Sequence, residues 1–529
     1  MSLLLPAQKP ESVAPERNTA AMPYLMSQNS ESAIRPVSFF RDAIHGISYY
    51  AVPSLLRVPI GLTLVPIYTR ILTPTDYGVL EILDITAALT GTLLATNIGV
   101  SLFYYYARAQ NEWEKRQALW TGCAGSFLLG LLALGLLFPS AGFVSRIAFG
   151  AGSAYARAVE LLFANLALCF PLEMIMNCLR AANRPRQFAA LAVARQLASA
   201  CLNVTFIAGM HSGYIGMLWS SLLVNGISSI LMVWRFQPVI RGNFSLLLLW
   251  RYIVYSVPLD ISALATLTLT MGDRYILRRY VSLADIGIYS LAYKFGFLIS
   301  STSLIFNTYW KPKMFSVVQQ PDGEYYYSRT RTYYTAAMVG LMVMLSTVLL
   351  PLIQIATGKD FHEATAYIPL FALAYTLRAV GEFNRNPLYL EKKTSIEAAL
   401  NWLGCILALA GYLVFIPTFG LRGGILSSAG AFMVLYFVGT WVAQRYRPMP
   451  FERRRLITVW ASGLVWMAAY HFTVPSALMT QLVWGSVCAL AFPASLWMLG
   501  FLSAGERAML YRAGSRFRLE CCRALQPWK

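Results

Sequence analysis

Apolar residues run along this chain in long blocks, and most polar residues fall between the blocks rather than within them. A helix that crosses a bilayer needs about 20 mostly apolar residues. Runs of that length recur near 46–69, 78–106, 118–142, 156–178, 188–210, 213–234, 250–272, 284–308, 332–356, 364–384, 395–417, 422–443, 457–477 and 480–503. The pattern predicts an all-α, polytopic membrane protein with about fourteen spanning helices. The connections are short, the longest lying around 309–331. No loop has room for a catalytic domain, so any activity belongs to the helical bundle and an enzyme is not expected.

Composition supports this picture. Of 529 residues, 57% are hydrophobic and only 13% charged, against about 25% charged in soluble domains. The net charge of +19 could point to nucleic acid. Cytoplasmic loops of membrane proteins collect Lys and Arg, however, and that accounts for it without a nucleic-acid partner. With the N-terminus inside, the inner loops carry Lys115, Arg116, Arg184, Arg186, Lys311, Arg331, Arg385, Lys392 and the run Arg453–Arg455. An even span count places both termini in the cytoplasm. The exception is one outer loop with Arg274, Arg278 and Arg279. Eight cysteines are scattered, and no Cys/His spacing suits a metal, so no metal or cofactor is expected. Residues 1–42 read as a polar cytoplasmic tail rather than a signal peptide, and residues 506–529 as a basic one.

A short stretch occurs twice. Arg70-Ile71-Leu72-Thr73-Pro74-Thr75-Asp76-Tyr77-Gly78-Val79 returns as Arg279-Tyr280-Val281-Ser282-Leu283-Ala284-Asp285-Ile286-Gly287-Ile288, with Asp76 and Asp285 209 residues apart. Tyr50-Ala51-Val52-Pro53 likewise returns as Tyr255-Ser256-Val257-Pro258. In Thr73-Pro74-Thr75-Asp76 and Ser282-Leu283-Ala284-Asp285 a hydroxyl residue is followed three positions later by a carboxylate, the order of a capping box. Pro74 suits the first helical position. Gly78 and Gly287 then allow close packing. The repeat therefore reads as two helix caps on the outer rim rather than as ligands. It divides the chain into a first lobe of six spans (43–245), a second of six (246–445) and two further helices (446–505), the pseudo-symmetric layout of many transporters.

The start of the first span, the segment RILTPTDYGVLEI and its echo VSLADIGIYSLAYK resemble the polysaccharide flippases of the Wzx type, in the MATE/MOP exporter superfamily that includes the lipid II flippase. The resemblance covers residues 40–445. It implies a V-shaped pair of lobes around a central cavity that opens alternately to either side. The implied substrate is a polyprenyl-diphosphate-linked oligosaccharide, carried across a bacterial cytoplasmic (inner) membrane for surface polysaccharide assembly. Membrane lipid and other polysaccharide-assembly proteins are the implied partners.

Ionisable residues at bilayer depth are costly unless paired or wetted, so each is a candidate for the path. The deep cations are Arg57, Arg195, Lys294 and Arg378, the candidate substrate-binding set. The deep anions include Asp84 and Asp260, candidates for ion coupling, with Glu173 nearer the inner face. Arg57 and Asp260 lie on equivalent spans and are expected to pair. A wet cavity with a few cations would hold a lipid diphosphate by charge-assisted hydrogen bonds. Arg195 and Arg378 could instead snorkel toward the inner face. Two other functions are open. A drug/cation antiporter would favour buried carboxylates, whereas deep cations here equal or exceed deep anions. A membrane polysaccharide polymerase or ligase would carry a long outer loop, and none is present.

Overall fold

The computed structural model describes residues 53, 56, 57, 59–94, 98–150, 154–240 and 242–502, with side chains of 236–240 excluded. Both predicted tails, and Cys521-Cys522, lie outside the described residues. Among those described there are helices and no strands, as apolar runs surrounded by lipid require: every backbone N–H and C=O must then find its partner within the chain.

The first half runs α1 (59–71), α2 (Pro74–Leu93), α3 (Ile98–Arg108), α4 (Glu112–Leu137), α5 (Ala141–Phe149), α6 (Ala156–Ala181), α7 (Pro185–Val204) and α8 (Gly213–Ile240). The second runs α9 (Leu246–Met271), α10 (Asp273–Leu277), α11 (Leu283–Val317), α12 (Gly323–Thr347), α13 (Leu349–Ala356), α14 (Ile368–Asn384), α15 (Pro387–Leu390) and α16 (Thr394–Tyr446). Two more helices, α17 (Arg453–Thr473) and α18 (Leu478–Met498), pack on α12 and on each other.

Among the described residues ten helices are long and apolar enough to cross a membrane, or eleven if the pair α12 and α13, bent by 46°, is one span. That is short of the fourteen expected, for identifiable reasons. The run before α1 lies partly outside the described residues, and α14 has 17 residues. The 53-residue α16 is two helices joined at Gly420, where φ is 56° and ψ −129°. That left-handed region suits glycine, which has no Cβ to clash. The chain reverses there: Gly411 faces Ser427, Gly423 faces the Phe415 carbonyl, and the Tyr412 and Ser428 hydroxyls meet at 2.8 Å. The boundary drawn between 417 and 422 from sequence falls on this reversal.

The repeated stretch forms two capping boxes of the same design. Thr73 Oγ1 accepts from the Asp76 N–H at 3.2 Å, and the Thr73 N–H donates to Asp76 Oδ2 at 2.9 Å. Ser282 and Asp285 repeat this at 3.1 and 3.0 Å. This meets two of the four unsatisfied donors at the start of α11, and two of three at the start of α2, where Pro74 has no N–H; the carboxylate sits at the positive helix end. The two capped ends also touch. A Cβ on Gly78 would fall on the Leu283 carbonyl oxygen, and one on Gly287 would fall on the Pro74 carbonyl oxygen. Leu283 and Pro74 are the first residues of α11 and α2, so each helix presents its first carbonyl to the glycine of the other. The halves are thus joined at this capped end. Tyr77 edge-on to Phe361, with ring centroids 5.0 Å apart, and Arg278 donating to the Phe149 carbonyl extend the contact.

Adding a methyl at either glycine must push two backbones apart, at a cost of about 1–3 kcal/mol for overpacking. Gly78→Ala and Gly287→Ala should each lower the melting temperature in detergent. Each should also speed thiol labelling of a cysteine placed at Tyr77, which is 4% exposed.

Candidate functional cavity

Helices α2 and α11 leave the capped end side by side. Asp84 stands ten residues into α2 and Lys294 eleven into α11, about 15 Å from the caps at 1.5 Å per residue. That is the middle of a hydrocarbon core about 30 Å thick. Asp84 and Lys294 are exposed although most of their helical neighbours are buried. The Asp84 carboxylate lies within electrostatic reach of Lys294, Arg57 and Glu81. Lys294 Nζ also lies 4.9 Å from the Tyr77 ring centroid, a cation–π contact with the capped end of the partner helix. Three residues singled out from sequence, Arg57, Asp84 and Lys294, therefore belong to one mid-membrane group drawn from both halves.

A cavity of about 510 Å³ opens from Arg57 along α1, α6 and α7. Its charged lining is Arg57, Arg180, Arg195 and Glu173. Arg195 Nη1 holds Glu173 Oε1 at 2.8 Å, with both partners partly exposed, so Arg195 is anchored within the cavity. Three cations against one carboxylate make this wall attractive to an anion.

Arg378 is placed apart from that group. It bonds Glu382 at 2.8 Å, one turn on in α14, and lines a second cavity of about 220 Å³ between α11, α14 and α16. Asp260 is 6% exposed and lines neither of these cavities. Asp260 has an interaction of its own, and Arg57 lies within electrostatic reach of Asp84. The asparagines act as interhelical bonds, as with Asn225 donating to Asn165 at 2.8 Å between α8 and α6. Among the described residues no group of three or more His, Cys, Asp or Glu side chains could hold a metal.

One charged cluster escaped the sequence reading. Arg274, assigned there to an outer loop, is 0% exposed. Its guanidinium meets Asp273 at 2.6 Å and, across the two halves, Glu81 at 3.3 Å. Tyr293 and Tyr289 lie against it with ring centroids at 4.1 and 5.2 Å, and the Tyr289 hydroxyl donates to Asp273. Two carboxylates and two aromatic faces offset the desolvation of the buried cation. The exception to the loop-charge bias was the signal for Arg274, although Arg279 of the same loop is exposed. Arg331 and Arg385, counted as inner-loop charges, are buried too. Arg331 stacks on Phe451 and Arg385 pairs with Glu397 at 3.2 Å.

The polysaccharide biosynthesis protein family matches residues 67–366. Among curated proteins no match is found. Among solved structures, a lipid II flippase MurJ in an inward closed conformation superposes with a TM-score of 0.66 at 14% identity, over 85% of this chain and 99% of that one. An inward-facing multidrug MATE transporter of the MOP superfamily gives 0.57 at 15% identity, over 79% and 99%. Its outward-facing counterpart gives 0.54 at 14%, over 79% and 96%. At such identities the likeness is one of fold, shared with these flippase and MATE transporter structures.

Removing one partner of a buried ion pair leaves an uncompensated charge and costs about 3–5 kcal/mol. Arg274→Ala should therefore lower thermal stability in detergent sharply. Glu81→Gln, which keeps an acceptor for Arg274, should cost less.

Proposed function

Because this chain belongs to the polysaccharide biosynthesis protein family, and its fold is that of MOP-superfamily transporters, we propose that it flips lipid-linked oligosaccharide across the bacterial cytoplasmic membrane. It is a multi-pass membrane transporter; the proposal concerns its cargo and direction. The observation that carries it is the charge of the internal space. Arg57 and Lys294 come from opposite halves to within electrostatic reach of Asp84, and Arg180 and Arg195 continue the positive wall from Arg57. A polyprenyl diphosphate is the anion such a wall would hold. Arg would grip phosphate oxygens two at a time, and Lys would act as a point charge. The polyprenyl tail stays in lipid beside the bundle while the sugars occupy water between the lobes. In this reading the lobes are residues 43–245 and 246–445. The capped end faces out and both termini face the cytoplasm. Separating Gly78 from Gly287 opens the outer side.

Asp84 is the better placed of the two candidate coupling acids, since it lies within electrostatic reach of both Arg57 and Lys294. Buried Asp260 would act on helix α9 rather than on cargo. A drug/cation antiporter would need a cavity dominated by carboxylates, and the wall described here carries the opposite sign.

Lys294→Ala should reduce surface polysaccharide at least tenfold while the protein remains in the membrane, with lipid-linked substrate building up on the inner leaflet. Normal export by a variant in which Arg57, Arg195 and Lys294 are all alanine would overturn the cationic-cavity reading. Asp84→Asn should slow export without weakening binding of polyprenyl diphosphate to the purified protein. Weakened binding would instead make Asp84 part of the cargo site.

A further inference from the structure

The second cavity is not built like the first. It lies at the end away from the caps. Asn307 and Lys311, which line it, stand 24 and 28 residues into α11, about 36–42 Å along the helix and so at the membrane surface. Its cations Lys311, Arg378 and Arg385 are nearly balanced by Glu382 and Glu397. Tyr389, Phe432 and Tyr436 supply aromatic walls.

Several polar atoms lining it are buried and unsatisfied. Arg385 (3% exposed) has Nε and Nη1 without hydrogen-bond partners, and Asn386 (1%) has Nδ2. Glu397 Oε2 and Asn307 Oδ1 (both residues 8% exposed) are acceptors in the same condition. Each such group costs free energy until something bonds it. The set contains donors and acceptors together, beside aromatic rings. A phosphate, which only accepts from this set, would leave Glu397 and Asn307 unmet. A sugar ring, whose hydroxyls both donate and accept and whose C–H face packs on aromatics, meets both kinds. At about 220 Å³ the space holds roughly seven waters at about 30 Å³ each, enough for a single ring.

The position has a counterpart in the first half. Glu382 and Asn386 follow Glu173 and Asn177 by the same 209 residues that separate Asp76 and Asp285. Glu173 lines the cationic cavity and Glu382 this one. The duplicated framework thus carries two polar cavities of different chemistry.

We infer that the cavity between α11, α14 and α16 is a sugar subsite. It takes one residue of the oligosaccharide at the membrane surface while the Arg57–Arg195 wall takes the diphosphate. The inference rests on the transport reading above. It divides recognition between the halves, with the anion read by the first and the glycan by the second.

The test uses the full-length protein in lipid nanodiscs and two probes. One is lipid-linked oligosaccharide extracted from cells lacking the transporter, and the other is polyprenyl diphosphate without sugar. Asn386→Ala removes a buried donor, and Tyr389→Phe removes only a hydroxyl, so the second serves if the first melts early. Each should weaken binding of the sugar-bearing lipid about five- to tenfold and leave the bare lipid unchanged, while Arg57→Ala weakens both. Equal loss for the two probes, or no loss for either, would mean a water-filled cavity and overturn the subsite alone. A wild-type protein that binds neither probe would remove the transport reading and the subsite with it.

Discussion

The structure turns on the place where α2 and α11 cross at their first turns. Each helix sets its opening carbonyl against the glycine of the other, at a distance no side chain would permit. Everything deeper is registered from that crossing. It puts Asp84 and Lys294 at the same depth, and it brings Glu81 to Arg274. In lipid there is little hydrophobic drive to hold helices together, so such close backbone approach is a main source of association. The capping boxes serve the same end. They satisfy helix-start donors with side chains only two or three bonds long, and so leave the crossing free of bulk.

Within that frame the charges are sorted by what surrounds them. Arg274, Arg331 and Arg385 are buried and held by carboxylates, carbonyls or rings, and they lock helices together. Lys294 and Arg57 are exposed, and Arg57 lines the first cavity with Arg195, which is anchored there at one corner only. Burial without a partner is too costly to persist. Exposure therefore separates these cations from the structural ones.

Much of this was legible in the sequence, because the bilayer imposes length and polarity on every span. The run boundaries near 78, 213, 284 and 457 fall close to the observed helices. The reversal at Gly420 was better drawn from the apolar pattern than from helix geometry alone. The caps were readable too, since a capping box is a four-residue local device. Partners distant in sequence were not. Nothing local says that Glu81 reaches Arg274, 193 residues away, or that Arg57 comes within electrostatic reach of Asp84. Span equivalence says neither which helices touch nor how each is rotated, and a rotation of one residue, 100° on a helix, changes which side chains meet. Arg378 shows the same limit: its depth was readable, its cavity was not.

Because the crossing of α2 and α11 is made from backbone carbonyls and the absence of side chains, it places no demand on the side chains deeper in either helix. The residues that line the two cavities, on α6 and α7 in the first half and on α14 and α16 in the second, can vary without disturbing it. The fold thus keeps the joint between its halves apart from the surfaces that face its internal spaces.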